Sequence, residues 1–334
     1  MNELIFFINK VVLSGAIIGC IYALGAIGVT LIFGILRFAH FAHADLMTTG
    51  AFFALIFTSL LSGVGPIGGL PTGFVVLPLA AAATALLAIG LDRMFYRPLR
   101  ARNIKPILLL VASLGVTLML QGITRLFAGT SIRTFFTSET KDVFRIDVPF
   151  ELATRKIVIT EPQLLLFVTT VVSIICLHQF LTRARLGKAM RAMADNADLA
   201  LISGINTDTV VTVTWIIAGV LAAAGGVLLA LDVALKPDLS FNILLPIFAA
   251  AIVGGVGRPY GAIAGGLLVG YSEALAVFNW SILLRQANDW LPTWIEIPAR
   301  LTIVPTEYKL VVPFVILIAV LLWRPTGIFR GQIT

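Results

Sequence analysis

The chain has 334 residues, of which 59% are apolar and only 12% charged. A soluble domain carries roughly 25% charged residues, so too little polar surface is present to cover a water-soluble globule. The mean hydropathy of +1.00 and formal charge of +7 predict an all-α, polytopic transmembrane bundle in a single domain, residues 1–334. In such a protein the positive balance is a membrane-orientation signal and not a nucleic-acid footprint.

The first long apolar run, 11–36, follows Lys10. It exceeds the roughly 7–15 residues of a signal-peptide core and no small-residue cleavage pattern follows, so it reads as a retained span with a short amphipathic lead-in. A spanning helix needs about 20 mostly apolar residues. Further runs of that kind lie at 44–62, 72–91, 106–127, 162–181, 209–231, 261–279 and 308–323. Residues 243–256 are shorter and read either as a span or as a half-helix, giving eight or nine membrane segments.

Breakers support these divisions. Gly63-Val64-Gly65-Pro66 and Gly68-Gly69-Leu70-Pro71 separate the second run from the third. Pro162 sits at a first helical turn, where its missing N–H costs nothing. Thr207 and Asp208 are N-cap residue types. Trp323-Arg324-Pro325 stops the last run. Cys20 and Cys176 both lie inside apolar runs, where thiols act as small hydrophobes and not as a disulfide framework.

Short-loop Lys and Arg set orientation. Residues 92–106 hold Arg93, Arg97, Arg100, Arg102 and Lys105; residues 182–208 hold Arg183, Arg185, Lys188 and Arg191; the tail holds Arg324 and Arg330. These three segments are expected in the cytoplasm, with the Arg37–Ala44 loop inside and the N-terminus outside. Nine crossings result if 243–256 spans. Outside, 128–160 carries Val148-Pro149 and an alternating Lys156–Thr160 stretch suited to a hairpin. The other external segment, 280–307, carries Trp280, Trp290 and Trp294 with Pro292, Pro298 and Pro305. Lipid anchoring and docking of a periplasmic protein both account for those tryptophans.

Two hydrophobic segments are interrupted alike. One breaks at Gly34-Ile35-Leu36-Arg37-Phe38, the other at Gly254-Gly255-Val256-Gly257-Arg258-Pro259-Tyr260. Paired interruptions in two halves point to a transport path near the midplane. Gly15-x-x-x-Gly19, Gly261-x-x-x-Gly265 and Gly266-x-x-x-Gly270 have a plainer meaning, close helix packing.

Nucleotide and hydrolase motifs are missing. Arg183-Ala184-Arg185-Leu186-Gly187-Lys188-Ala189 lacks the first glycine and the Ser/Thr of a P-loop, and neither G-x-S-x-G nor H-E-x-x-H occurs. No catalytic residue, metal site or bound cofactor is therefore expected in this chain. His40, His43 and Asp45 have ligand chemistry, but one pair beside a helix break is better explained by polar contacts at that break. Glu273 is the one carboxylate well inside a span, with Asp45 near a boundary. Ion-coupled carriers generally need more intramembrane acids than this.

Leu181–Asp208 is the most informative segment. Met190, Met193, Ala197, Ala200 and Leu201 recur at helical spacing. Asp195 or Asn196 is placed to cap a short second helix ending at Gly204. Its apolar face is expected to meet a partner protein's groove, since Asp195 and Asp198 disfavour an anionic lipid surface.

Three motifs in chain order then resemble the permease subunits of ABC importers of the branched-chain amino-acid type, a group similar to ribose-type permeases. They are Ala23-Leu24-Gly25 through Thr30-Leu31-Ile32-Phe33-Gly34 with Phe41-Ala42-His43-Ala44-Asp45; Arg185-Leu186-Gly187-Lys188-Ala189-Met190-Arg191-Ala192 with Ser203-Gly204-Ile205-Asn206; and Ala249-Ala250-Ala251-Ile252-Val253-Gly254-Gly255-Val256-Gly257 with Gly261-Ala262 and Gly265-Gly266. His40 stands where the family usually has Asn, and Ala44 where it usually has Gly.

The resemblance implies a multi-pass subunit of the bacterial inner membrane. It would pair with a second, homologous permease, two cytoplasmic ATPases carrying ATP and Mg, and a periplasmic substrate-binding protein. The Ala192–Ile205 region would be the coupling helix, with Arg185, Gly187, Arg191, Asp195, Ala197, Ala200, Leu201 and Gly204 engaging the ATPase. Path candidates are His40, His43, Asp45 and Thr48 at the first break, Arg258 and Tyr260 at the second, and Ser272 and Glu273 in the following helix. The implied cargo is a small polar solute, first a branched-chain or other hydrophobic amino acid, with urea and short amides as the alternative within the same class. A stand-alone ion-coupled transporter is the competing reading, and a membrane enzyme ranks third for want of a catalytic dyad.

Overall fold

The computed structural model describes residues 2–61, 69–136, 139–147, 155–285 and 298–329. Gly63-Val64-Gly65-Pro66, Val148-Pro149, Trp290, Pro292, Trp294 and Arg330 lie outside them. The order of elements is α1 (Asn2–Leu36), α2 (His43–Leu60), α3 (Leu77–Ala101), α4 (Pro106–Ala128), β1 (Val143–Ile146), β2 (Ile157–Thr160), α5 (Glu161–Arg183), α6 (Arg185–Asp195), α7 (Ala197–Ile202), α8 (Thr207–Asp232), α9 (Phe241–Gly254), α10 (Pro259–Val277) and α11 (Val311–Trp323). Seven of these, α1 to α5, α8 and α10, are long and apolar enough to cross a membrane, while α9 and α11 are shorter apolar helices.

The lead-in is continuous with the first span, so α1 runs for 35 residues, with a π-helical stretch at Ile8–Leu13. At about 1.5 Å per residue α1 is about 52 Å long, well beyond a hydrocarbon core of about 30 Å. Its first turns are held by the segments around them. The Asn9 side chain donates to the Lys156 carbonyl at 3.0 Å and accepts from the Val158 N–H at 3.2 Å. Phe7 meets Phe278 edge-on at 5.3 Å. Val158 belongs to the hairpin foreseen in 128–160, where β1 and β2 pair antiparallel with Val143 opposite Thr160.

Glycines set the central helix pair. Residue 15 lies against Tyr271, residue 19 against Leu267, residue 23 against Gly266 and residue 34 against Gly257, so α1 and α10 run antiparallel. A methyl on Gly19 would come to 3.0 Å from the Leu267 Cα, and one on Gly266 to 2.6 Å from the Ala23 nitrogen. The GxxxG spacings thus serve close backbone approach, as the packing reading had it. Around this pair, α8 packs on α1, α2 and α3, and α9 packs on α1, α10 and α11. Trp215 of α8 is wholly buried at the centre of that packing.

Several expectations change. The supposed loop 92–106 is helical through Ala101, because α3 continues past Leu91 by a π-helical Asp92–Tyr96 stretch. Arginine is a good helix former, and here Arg100 pairs with Asp92 at 2.8 Å while Arg97 reaches Asp208 at 2.7 Å. The α8 cap is Asn206 and not Thr207 or Asp208: its side chain accepts the Thr209 N–H at 3.0 Å. The run 308–323 shortens to 13 helical residues, preceded by a 3₁₀ turn at Thr306–Tyr308. Residues 37–42 form an interior break and no open loop, for Phe38, His40 and Ala42 are buried. Cys20 is buried and Cys176 exposed, both as free thiols.

Candidate functional site

The two breaks foreseen in the sequence meet. Helix α1 ends where Arg37 turns left-handed (φ 58°), an uncommon conformation for a residue with a Cβ. The Arg37 guanidinium secures it by donating to the Ala194 carbonyl at the end of α6, at 2.6 Å. Helix α9 ends at Gly254, and Gly255 (φ 108°) and Gly257 (φ 82°) supply the left-handed steps before α10 begins at Pro259. A methyl on Gly34 would sit 3.4 Å from the Gly257 Cα, so the breaks are in direct contact. Gly254 and Gly261 also face each other so closely that a Cβ on either would collide with the other's carbonyl oxygen.

Every polar residue predicted at the first break is buried, yet each holds a different helix. The His40 ring nitrogen Nδ1 lies 3.2 Å from the Tyr96 hydroxyl, and the ring sits edge-on to Trp215 at 4.9 Å. His43 fills the space over Gly28, where any Cβ would collide with its ring. Asp45 Oδ1 accepts from Gln121 Nε2 at 3.0 Å, binding α2 to α4. Thr48 Oγ1 accepts the Ser240 N–H at 3.1 Å, just before α9. The His40 and His43 ring centres are 6.4 Å apart, and among the described residues no three His, Cys, Asp or Glu side chains gather closely enough to hold a metal.

At the second break, a cavity of about 620 Å³ opens between the ends of α1, α5, α6 and the start of α10. Arg258, Tyr260, Gly34 and Gly257 line it, and the Tyr260 hydroxyl meets His178 Nδ1 at 2.8 Å. At the far end of α1 a second cavity, of about 320 Å³, is lined by Lys10, Ser14, Glu273 and Lys309. Lys10 and Gly34 are 24 helical residues apart, or about 36 Å. Glu273 is 2% exposed; its Oε2 accepts from the Tyr22 hydroxyl at 2.7 Å, and its Oε1 lies 3.5 Å from Lys309 Nζ. Ser272, beside it, is half-buried and lines neither cavity. The predicted path residues therefore divide. Arg258, Tyr260 and Glu273 face these cavities; His40, His43, Asp45 and Thr48 lie between helices.

The helical pair after α5 forms as the spacing required. Asn196 caps α7 by accepting the Leu199 N–H at 3.0 Å, and Gly204 (φ 81°) ends the turn. Its faces differ from the expectation, however. Met190, Met193 and Ala200 are buried in their own chain, and Gly187 abuts the backbone of Phe180 so tightly that a Cβ has no room. The large apolar residues presented outward are Leu199, Leu201 and Ile202 on α7, with Leu186 less exposed at the start of α6. Arg185, Arg191, Asp195, Ala197 and Gly204 are exposed.

The family described as branched-chain amino acid transport system, permease component, matches residues 11–321. The chain belongs to this permease family. The high-affinity branched-chain amino acid transport system permease protein BraD of Pseudomonas aeruginosa is 31% identical over 334 residues, with 98% of this chain and 97% of that protein covered. LivH of Escherichia coli K12, of the same description, is 30% identical over 336 residues with the same coverage. No solved structure matches the chain. The protein is thus a multi-pass permease of the ABC importer type.

Several residues of this permease escaped the sequence reading. Tyr22 and Lys309 belong to no motif, although a tyrosine inside an apolar run signals a buried partner for its hydroxyl. Gln121, Tyr96 and Trp215 likewise became visible only through their contacts with Asp45 and His40.

Proposed function

We propose that this permease carries a branched-chain or similar apolar amino acid into the cytoplasm by alternating access. It works beside a second, homologous permease in the bacterial inner membrane. Two cytoplasmic ATPases, which bind the ATP and Mg, drive it, and a periplasmic binding protein supplies it; this chain itself binds no cofactor. The α6–α7 end and the C-terminus face the cytoplasm and the N-terminus faces the periplasm, in keeping with the basic residues gathered at that end. The cargo rests on the relatives, whose names specify branched-chain amino acid transport.

One observation carries the mechanism: a continuous line of contacts from α7 to both breaks. Helix α7 packs on α6, the end of α6 receives the Arg37 side chain, and Gly34 touches Gly257. An ATPase that seats Leu199, Leu201 and Ile202 and then closes moves α7, and with it α6 and the junction of the two breaks. The gate must have two discrete packings with different affinity for the ATPase's closed state, since a partner shifts only states it distinguishes. Arg258 and Tyr260 line the inner side of that junction, and Glu273 the outer end.

Reconstitution tests the reading. Leucine uptake into proteoliposomes is expected to require ATP, both ATPases and the binding protein. Uptake by this chain alone on a proton or sodium gradient refutes the ABC assignment. Uptake of urea or short amides in place of leucine refutes the cargo while keeping the class. Glu273 is already engaged by Tyr22 and Lys309, and that engagement does not favour a free proton relay.

A further inference from the structure

The outer cavity has a makeup that neither membership of the family nor the coupling mechanism explains. A carboxylate, Glu273, is buried at its base, and two ammonium groups, Lys10 and Lys309, stand at its wall. Phe6, Ile18, Ala274, Val277 and Phe278 supply apolar lining. Its volume of about 320 Å³ lies at the small end of ligand pockets, which run roughly 300–1,000 Å³.

The charges are unbalanced in a specific way. Lys309 is half-exposed and touches Glu273 at the loose distance of 3.5 Å. Lys10 is exposed, and no carboxylate pairs with it among the described residues. Two cations therefore face one anion, leaving one positive charge over. Three neutral polar residues share the wall, Ser14, Asn279 and Thr306. Asn279 Oδ1 accepts the Leu301 and Ser281 N–H groups, and Ser14 Oγ donates to the Asn9 carbonyl. An incoming ligand with one ammonium and one carboxylate completes the set. Its ammonium takes the Glu273 Oε1 position that Lys309 holds loosely, and its carboxylate takes the freed Lys309 together with Lys10. The remaining wall accepts an aliphatic side chain.

We propose that this cavity is a binding site for a zwitterionic α-amino acid with an apolar side chain, at the end of the permease opposite the α6–α7 pair. The proposal rests on the importer reading for the chemical class of the cargo, and adds a site on this chain itself. It gives the cargo a station on the membrane subunit separate from whatever site the binding protein offers.

The test uses the intact transporter in lipid nanodiscs without the periplasmic binding protein, with tritiated leucine as the probe. Leucine is expected to bind saturably. Isocaproate, which lacks the ammonium, and isopentylamine, which lacks the carboxylate, are expected to compete at least about tenfold more weakly, each having lost a charge-assisted contact. Lys10→Ala removes an exposed side chain with no structural partner and is expected to weaken leucine binding about tenfold without altering the unfolding temperature. Glu273→Gln is expected to weaken it further. Leucine, but not isocaproate, is expected to protect Ser14→Cys from a maleimide. Equal competition by isocaproate, unchanged binding in Lys10→Ala, or no protection at Ser14→Cys overturns the site. Uptake with the binding protein present is scored separately. If uptake of leucine persists while these binding signatures fail, the site falls and the importer reading stands. If the signatures hold but the wild-type assembly takes up no leucine, the site stands and the cargo assignment falls.

Discussion

Replacing Ile202 by aspartate isolates the α7 surface from the fold beneath it. Ile202 is 83% exposed, and its neighbours Leu199 and Leu201 are 61% and 59% exposed. Full burial of an isoleucine contributes about 1.5–3 kcal/mol, so a groove that covers Ile202 gains about 2 kcal/mol from it. Aspartate forfeits that gain and adds an unpaired carboxylate to be desolvated. The ATPase pair is therefore expected to bind at least about 30-fold more weakly, since each 1.4 kcal/mol is about tenfold. The assay is titration of purified ATPase onto the permease in nanodiscs, with substrate-stimulated ATP hydrolysis measured in parallel. The unfolding temperature should stay at the wild-type value, because the side chain touches little of its own chain. Leu201→Asp should behave alike, and an acidic residue at Ala197 weaker in the same direction. Ala200→Asp is the counter-control: Ala200 is 3% exposed, so this change should lower stability itself. Gly204→Arg is also expected to abolish coupling but combines two effects, since a left-handed residue (φ 81°) is strained by any side chain. If Ile202→Asp and Leu201→Asp both bind the ATPase within twofold of wild type, α7 is not the seated helix.

Four further substitutions test local contacts. Gly261→Leu drives a branched side chain into the Gly254 carbonyl, and overpacking of this kind costs about 1–3 kcal/mol or more; a lowered unfolding temperature in detergent, with poor recovery, checks it. Tyr22→Phe strips the buried Glu273 of its 2.7 Å hydrogen bond and is expected to cost about 1–3 kcal/mol, read by the same thermal assay. Asn206→Ala removes the α8 cap at about 0.5–2 kcal/mol, while Asp208→Ala, an exposed partner of Arg97, should change stability by no more than about 1 kcal/mol.

The membrane segments were legible because a length of apolar residues is a local quantity. Predicted and observed ends agree closely for α4, α5 and α8, where proline, asparagine or threonine marks the start. The stretch 92–101 was misread because arginines signal a cytoplasmic loop and a good helix equally well, and only the Asp92–Arg100 and Arg97–Asp208 pairs decide between them. The direction of an amphipathic face was not legible either. Met190 and Ala200 recur at helical spacing whether that face meets a partner or the parent bundle, and here it meets the bundle. The outer cavity assembles Lys10 from the first turns of α1, Glu273 from the last turn of α10 and Lys309 from just before α11, and spacing carries no trace of such a meeting. The pair of breaks, by contrast, was legible as a repeated Gly–Arg–aromatic element, although its most telling property, that the two touch, was not.

The end of α9 bears on how the protein is made. A helix leaves its last four carbonyls without intrahelical donors. Here Ala251 and Ile252 are served by the Gly255 N–H, but Val253 accepts from Ile328 at 2.9 Å and Gly254 from Phe329 at 3.3 Å. Those donors lie 75 residues later, beyond the last helix. At synthesis rates of about 5–20 residues per second, the second break waits roughly 4–15 s for its own partners. During that interval the nascent bundle holds two bare carbonyls at its most glycine-rich junction. A chain that stops before residue 328 would therefore have every helix made and yet leave the Val253 and Gly254 carbonyls unserved where the two breaks meet.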